Sequence, residues 1–323
     1  MNPRVMITGA GGFVGTHVMA TLLSMVEGVE IIPTSRHGGH SPVAGRIEPL
    51  DVTDRAGVWD IIARTGPTHV IHLAGMAALP AAAANPDAAW NVHLGGTLNV
   101  ARAIMGCVPE CLLVHVGSGQ VYGASASDGL PMDETTLLTP TDSYTVSKAA
   151  ADLAVGAMAK SGLRCLRFRP FNHIGPGQSE DFAVASFAAQ IARIGAGREE
   201  AVMKVGNLEA RRDFLDVRDV VAAYALAVTR GETIPSGTIL NLASGVAWRI
   251  RDLLDMLLAI AETPIAVETD KSRLRPNDTP VFLGNAGRAH ELLGWQPRFS
   301  LEQTLRDTLE AAGQSVKSEI PTA

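Results

Sequence analysis

Short apolar runs rich in β-branched residues alternate with longer helical stretches through the first half of the chain, and this alternation most limits the possible fold. The predicted strands span residues 5–8, 30–34, 46–50, 69–73, 112–116 and 164–169. The predicted helices between them span residues 12–25, 56–64, 91–104 and 143–160. Most of the strands are continuously apolar, as expected for strands covered on both faces. The pattern therefore predicts an α/β fold built on a doubly wound parallel sheet.

Composition argues against several classes of protein. The 27 basic and 33 acidic residues give a net charge of −6, and no basic cluster predicts a nucleic-acid surface. Cys107, Cys111 and Cys165 are an odd number without a CxxC pair, so neither a disulfide framework nor a metal site is predicted. The N-terminus lacks signal-peptide features, and prolines and polar residues interrupt the alanine-rich stretch 74–89. We therefore expect a cytoplasmic protein without nucleic-acid or membrane partners.

A glycine-rich turn follows the first predicted strand, with Gly9, Gly12 and Gly15 leading into the first predicted helix. Glycine suits this place because the turn is tight, the backbone must approach a pyrophosphate, and the helix must pack closely on its strand. A plain strand-to-helix connection can carry a similar turn. Its position in the first βαβ unit favours a dinucleotide site in a Rossmann fold, with Phe13 and Val14 beside it.

The second predicted strand ends at Ser35 and Arg36, where NAD-binding folds usually place an acidic residue. A hydroxyl and a guanidinium suit a 2′-phosphate, which favours NADP(H) over NAD(H). The alternative is that Arg36 is a solvated loop charge. Asp51 is placed to accept from the adenine amine, although a loop cap explains it equally well. The other residues predicted to line the cofactor site here are Val52, Leu73, Ala74 and Gly75.

Tyr144 and Lys148 are four residues apart in a predicted helix that begins near Asp142. This spacing puts them on one face, where the ammonium can lower the pKa of the phenol. Such a phenol can give a proton to an alkoxide or take one from an alcohol. Ser118, at the end of the fifth predicted strand, is placed to hold the reacting oxygen. A tyrosine and lysine with this spacing occur by chance in many helices, but the preceding glycine turn favours a catalytic set.

Several motifs together resemble the extended short-chain dehydrogenase/reductase family. They are the glycine turn, Asn91, Ser118, the Tyr144–Lys148 pair, the segment 169–172 and the C-terminal segment 293–297. The resemblance implies hydride exchange between a nicotinamide and a hexose carbon, most often C4, of a nucleotide-linked sugar. It also implies that Asn91 and Phe171 lie at the cofactor, and that a homodimer forms through the helices near 91–105 and 143–160.

The predicted alternation loosens after the sixth strand into segments rich in glycine, proline and asparagine. We expect residues 1–170 to form the NADP-binding domain, which the chain rejoins at about 214–262. Residues 171–213 and 263–315 are expected to form a smaller C-terminal α+β lobe that binds the nucleotide sugar. Residues 316–323 are expected to be a loose tail.

Two segments, 171–178 and 205–214, resemble a narrower group containing GDP-mannose 4,6-dehydratases and reductases of GDP-6-deoxy-4-keto-mannose. This resemblance implies a GDP-linked deoxy-hexose as substrate. Asn172 can donate to its phosphate or sugar, and Arg212 and Arg275 are cations suited to a diphosphate. The remaining predicted substrate contacts are Gln120, Asn207 and Asp278.

Gln120 stands two positions after Ser118, where the dehydratases that the chain resembles carry a glutamate. An amide is not basic enough to take the proton that elimination of water requires. The sequence therefore favours reduction of a 4-keto group. Asp133 or Glu134 is an alternative source of the carboxylate, although we expect both to lie in a solvated turn. A dehydratase or epimerase, and a non-catalytic NADP-sensing regulator, remain the alternative functions.

Overall fold

The computed structural model of the protein describes residues 2–273 and 279–318. The strands are β1 (Arg4–Thr8), β2 (Glu30–Ser35), β3 (Gly39–Ser41), β4 (Gly45–Pro49), β5 (His69–His72), β6 (Leu112–Val116), β7 (Cys165–Pro170), β8 (Asn172–Ile174), β9 (Val202–Val205), β10 (Arg211–Asp216), β11 (Thr238–Leu242), β12 (Ala247–Arg249), β13 (Ala266–Thr269) and β14 (Val281–Phe282). The α-helices are α1 (Phe13–Met25), α2 (Arg55–Thr65), α3 (Leu79–Ala84), α4 (Pro86–Trp90), α5 (Thr97–Cys107), α6 (Ser143–Ala159), α7 (Ala183–Gly195), α8 (Val217–Arg230), α9 (Ile250–Ala261), α10 (Gly287–Leu293) and α11 (Leu301–Ser318). A π-helix, Asn91–Gly96, leads directly into α5.

Eight strands form the main sheet in the order β11-β7-β6-β5-β1-β2-β4-β3. Neighbouring strands are parallel, except that β3 pairs antiparallel with β4 at one edge. The chain runs from β1 to β2 on one side and returns to β5 on the other, so the strand order reverses between β1 and β5. In such sheets ligands bind at this reversal, beyond the carboxyl ends of the strands. The predicted doubly wound fold is confirmed.

Alternating side chains along the central strands supply two apolar layers, one on each face of the main sheet. Ile7 and Phe168 belong to the layer under α1 and α8, whereas Met6 and Leu113 belong to the layer under α2 and α5. All three cysteines are free thiols. The sheet is therefore buried on both faces, which explains why its strands read as continuous apolar runs.

The start of α6 is fixed by a reciprocal pair of hydrogen bonds. The Asp142 carboxylate accepts from the Thr145 amide at 2.9 Å, and the Thr145 hydroxyl accepts from the Asp142 amide at 3.0 Å. Capping of this kind contributes about 1 kcal/mol. It also sets the register of the helix, so that Tyr144 occupies the second helical position.

The smaller lobe has its own core, formed by α7, α9, α11 and the β9–β13 pair. The structure here differs from the expectation that 214–262 rejoins the first domain. Strand β11 does pair with β7, and α8 does pack against α1, but α9 lies in the lobe. The reason is that the apolar face of α9, including Leu254 and Leu257, meets Phe187 and Ile191 of α7.

Helix α11 continues to Ser318, three residues into the segment expected to be loose. Val316 is buried, and its carbonyl accepts from the Arg198 guanidinium at 2.6 Å, which holds the last turn against the lobe. Residues 319–323 lie outside the described residues. Within the two described ranges no helix, α11 included, combines the length and the apolarity needed to cross a membrane.

Candidate active site

The glycine turn connects β1 to α1 at the point where the strand order reverses. Gly9 has φ +75°, and a Cβ there would lie 3.0 Å from the Ala74 amide nitrogen. A Cβ on Gly15 would lie 2.5 Å from the Gly9 carbonyl oxygen. Helix α1 has no side-chain N-cap at Gly12, so the amides of its first turn can bind an anion. Phe13 and Val14 begin this helix and are partly buried against the core. The glycine turn and the free amides at the start of α1 together have the features that a dinucleotide pyrophosphate needs.

Ser35 and Arg36 lie at the end of β2, on the other side of this turn. The Ser35 hydroxyl donates to the Gly38 carbonyl at 2.8 Å. Arg36 is 72% exposed, and its Nε lies 3.2 Å from a carboxylate oxygen of Asp51. Hydrogen bonds from Thr53 and the charge of Arg36 lower the pKa of Asp51. The two residues predicted to contact different ends of the adenosine therefore contact each other, and Asp51 also caps its loop.

Ser118, Tyr144 and Lys148 converge at the carboxyl ends of β5 and β6. The Ser118 hydroxyl oxygen accepts from the backbone amide of Gln120 at 3.1 Å and shares a hydrogen bond with the Tyr144 hydroxyl. The Lys148 ammonium donates to the Val116 carbonyl at 3.2 Å. It also lies 3.4 Å from the position of a Cβ on Gly75, so this glycine keeps the space beside the ammonium open.

Burial controls the acidity of both ionisable groups in this set. It raises the pKa of Tyr144, and the hydrogen bond with Ser118 opposes that shift only in part. It lowers the pKa of Lys148 to about 8. The pKa of Tyr144 is therefore raised, not lowered as the sequence predicted, because burial of the phenol outweighs the effects that favour the phenolate. Tyr144 is therefore protonated at neutral pH and suited to donating a proton.

Gln120 and Asn172 meet beside the Ser118 turn. The Gln120 side-chain amide donates to the Asn172 side-chain oxygen at 3.3 Å, and the Asn172 amide donates to the Asp213 carbonyl at 3.2 Å. This chain of bonds fixes the orientation of both amides. Two predicted substrate contacts are thus adjacent to the predicted catalytic set.

The other predicted contacts lie in three different settings. Phe171 is buried between the rings of Tyr122 and Phe282, and its ring lies against Gly119 of the Ser118 turn. Asn91 is exposed at the start of the π-helix, whereas Val52 packs under that helix against Gly96. The remaining predicted substrate contacts belong to the smaller lobe or to the segment next to it.

In the lobe, the Asn207 side-chain oxygen accepts from the Glu209 amide at 2.9 Å. The Arg212 guanidinium donates to the Thr279 carbonyl at 2.6 Å, beside the segment 274–278. Arg275 and Asp278 themselves lie outside the described residues. The structure therefore describes two of the four lobe residues, Asn207 and Arg212, and their contact with a nucleotide sugar stays a prediction.

A model of the family described as GDP-mannose 4,6 dehydratase matches residues 6–308. The chain belongs to the GDP-mannose 4,6-dehydratase family. It is 34% identical to the GDP-6-deoxy-D-mannose reductase of Pseudomonas aeruginosa, over 99% of this chain and 100% of that protein. It is 24% identical to the GDP-mannose 4,6-dehydratase of Vibrio cholerae, over 98% and 96% of the two chains. The resemblance drawn from the motifs is confirmed.

Solved structures show the same fold. A structure of RMD from Pseudomonas aeruginosa complexed with NADPH has a TM-score of 0.86 at 32% identity and covers 97% of this chain and 100% of that one. A Thermus thermophilus UDP-glucose 4-epimerase in complex with NAD has a TM-score of 0.80 at 26% identity, with coverages of 96% and 98%. The chain is therefore an extended short-chain dehydrogenase/reductase with a Rossmann sheet.

In this member of the GDP-mannose 4,6-dehydratase family, Asp133 and Glu134 do not form a solvated acidic turn. Asp133 accepts from the amides of Thr135 and Thr136 at 2.8 and 3.1 Å, as a turn residue does. Glu134, however, is buried, and its carboxylate accepts from the Asn241 amide at 2.8 Å. The expectation failed for Glu134 because the loop folds under β11, where a backbone amide needs an acceptor.

Sequence reasoning missed three buried histidines at this site. His72 and His115 pair in register across β5 and β6, with Thr8 and Arg167 on the flanking strands, so a polar row crosses the sheet beneath α6. His93 lies in the π-helix and contacts the catalytic helix. A histidine at the end of an apolar strand, or one residue before it, was the available signal for the first two. No sequence feature pointed to His93, because the spacing of residues does not predict a π-helix.

Proposed function

We propose that this chain is an NADPH-dependent reductase of the 4-keto group of a GDP-4-keto-6-deoxy-hexose. The substrate is GDP-6-deoxy-4-keto-D-mannose, and the product is GDP-D-rhamnose or its C4 epimer. The observation that carries the proposal is the side-chain amide of Gln120, held by Asn172 two residues after Ser118, in a chain similar to a GDP-6-deoxy-D-mannose reductase. The cofactor cradle and the similarity to an NADPH complex support NADPH as the reductant.

NADPH, when bound, supplies the hydride that converts the keto carbon to an alkoxide. Ser118 is placed to donate a hydrogen bond to the sugar oxygen. The Tyr144 hydroxyl gives its proton to that oxygen, which completes the alcohol, and the resulting phenolate is reprotonated from solvent. The Lys148 ammonium lies on the same helix face and stabilises the phenolate that forms. These three groups suffice for reduction.

Elimination of water from GDP-mannose would need a base that takes the proton from C5 of the oxidised sugar. Gln120 cannot serve, and Glu134 is engaged with β11. The Asn172 side-chain oxygen faces the Gln120 amide, so a carboxylate at position 120 would meet an acceptor. Turning the Asn172 amide over would relieve this repulsion only by breaking its bond to Asp213. The site therefore favours an amide at position 120.

The test compares two substrates with the purified protein. With GDP-4-keto-6-deoxy-mannose, NADPH absorbance should fall and a reduced sugar nucleotide should form. With GDP-mannose, mass spectrometry should find no loss of water. A dehydrated product from wild type would overturn the reductase proposal in favour of the dehydratase that the family name and the Vibrio cholerae relative favour. Binding of NADPH without turnover of any sugar nucleotide would favour a regulator.

We also propose a homodimer formed through the helices near 91–105 and 143–160. Leu153 on α6 is 58% exposed, and Trp90 directly precedes the π-helix on an exposed edge, which supports an apolar interface on this side. Leu153→Glu should give a monomer by light scattering. The matched control is Leu130→Glu, because Leu130 is 70% exposed but lies outside both helices. A monomeric wild type would refute the interface.

The proposed working compartment is the cytoplasm. The proposed reductant is NADPH, and the thiols of Cys107, Cys111 and Cys165 are all unpaired. Unpaired cysteines are typical of a reducing compartment. Fractionation of cells that express a tagged full-length chain tests this placement, which recovery outside the cytoplasmic fraction would contradict.

A further inference from the structure

His93 lies in the π-helix Asn91–Gly96 and is almost fully buried. Short π-helical segments are rare and are frequent at functional sites. The ring of His93 stands perpendicular to the ring of Tyr144, with 5.4 Å between the ring centroids. His93 therefore packs directly against Tyr144, the proposed proton donor, although no step of the proposed reaction uses His93.

Both ring nitrogens of His93 are engaged, and their partners fix the position of its proton. The Ser147 hydroxyl donates to the Ser143 carbonyl at 2.7 Å, so Nδ1 of His93 supplies the proton of the 2.8 Å bond to the Ser147 oxygen. Nε2 then accepts from the Met76 amide at 3.0 Å, and the Met76 carbonyl oxygen lies 3.1 Å from the same nitrogen. Burial and the charge of Lys148 lower the pKa of His93 to about 3, so the ring stays neutral.

The two partners of His93 belong to different parts of the site. Ser147 lies on α6 between Tyr144 and Lys148. Met76 belongs to the loop after β5, next to Gly75, and a Cβ on Gly75 would lie 3.2 Å from the His93 ring. One side chain thus links the backbone of this loop to the helix that carries the proposed proton donor.

We propose that His93 is a positioning residue, which holds the Gly75–Met76 backbone, and with it the nicotinamide end of the cofactor, at a fixed distance from Tyr144. This proposal rests on the proposed function, because it takes Gly75 as a cofactor contact and Tyr144 as the proton donor. The bond to Met76 sets the loop and therefore the affinity for NADPH. The bond to Ser147 and the perpendicular ring contact set Tyr144 and therefore the turnover.

Two substitutions of similar size separate these roles. In His93→Gln, the side-chain oxygen reaches the position of Nε2 and can accept from the Met76 amide, while the bond to Ser147 is lost. In His93→Asn, the side-chain nitrogen reaches the position of Nδ1 and can donate to Ser147, while the bond to Met76 is lost. Both variants lose the ring, so the difference between them reports the hydrogen bonds alone.

The expected result is a split between affinity and turnover. His93→Asn should weaken NADPH binding roughly tenfold, whereas His93→Gln should bind NADPH nearly as tightly as wild type. At saturating NADPH and sugar nucleotide, His93→Gln should have roughly tenfold lower kcat and His93→Asn a smaller loss. Equal losses in both properties for both variants, or no loss in either, would overturn the proposal.

NADPH affinity is measured by quenching of protein fluorescence without any sugar, so it does not depend on the proposed substrate. A wild type that binds NADPH but fails to reduce the 4-keto sugar would refute the proposed function alone. Equal NADPH affinity in wild type and His93→Asn would refute the role of His93 alone. If neither His93 variant folds, Ser147→Ala removes the helix-side bond to His93, together with the hydroxyl's bond to the Ser143 carbonyl, and should lower kcat with NADPH affinity unchanged. A loss of affinity in this variant would count against the proposal.

Discussion

The two ends of the cofactor site are built in different ways. At the proposed nicotinamide end, buried hydrogen bonds join His93 to Ser147 of α6 and to the Met76 backbone, and Tyr144 packs against the His93 ring. At the adenosine end, an exposed ion pair between Arg36 and Asp51 lies on two loops. Exposed pairs contribute little to stability, whereas an unpaired buried group costs about 1–3 kcal/mol. The proposed reactive groups are therefore held by buried contacts, whereas the proposed adenosine contacts lie in a region that can change without unfolding the protein.

The largest expected effect lies at the buried end. Tyr144→Phe removes the transferable proton and keeps the ring against His93, so turnover should fall about a hundredfold or more, measured by nicotinamide absorbance. NADPH affinity should persist. The matched control is Tyr224→Phe, which makes the same change at a buried hydroxyl without a partner and away from the site. Equal activity of the two variants would contradict the assignment of Tyr144.

The next effect lies at the exposed end. Arg36→Asp replaces a cation with a carboxylate that repels a 2′-phosphate, so NADPH affinity should fall roughly tenfold or more relative to NADH. The ratio of the two dissociation constants measures the change. The thermal midpoint should stay near that of wild type, because Arg36 is solvated. A ratio unaffected by this substitution would show that Arg36 is only a loop charge.

A smaller effect concerns pH. Burial lowers the pKa of Lys148 to about 8, so its ammonium is present below that pH and is lost above it. The kcat at saturating NADPH should therefore decline as the pH rises through about 8. Lys148→Arg keeps its charge throughout this range, so its turnover, though lower, should not decline there. Parallel profiles of the two proteins would exclude Lys148 as the source.

The smallest effect compares the stability of the two ends directly. Asp51→Asn breaks the exposed pair and should change the free energy of unfolding by less than about 1 kcal/mol. Ser147→Ala leaves the His93 N–H buried without an acceptor and should cost about 1–3 kcal/mol. Urea denaturation measures both. If Asp51→Asn costs more than Ser147→Ala, the contrast between the two ends is wrong.

The sequence predicted the parts of the molecule that depend on local patterns. The strands and helices, the glycine turn and the spacing of Tyr144 and Lys148 are each local patterns, and the alternation of strands with helices predicted the doubly wound parallel sheet. The contact between Arg36 and Asp51, the burial of Glu134 and the linkage through His93 join residues far apart in the chain. Propensity and spacing carry no information on such pairings.

Among the residues that the structure describes, the apolar core of the smaller lobe shares no buried residue with either layer of the main sheet. Substitutions that reshape the sugar end can therefore accumulate without loosening the support of the nicotinamide end. Because the two cores are separate, substitutions that change the preferred sugar nucleotide can leave the packing around the proposed catalytic residues unchanged. Relatives named as reductases, epimerases and dehydratases, all spanning nearly the whole chain, are the outcome to be expected of that tolerance.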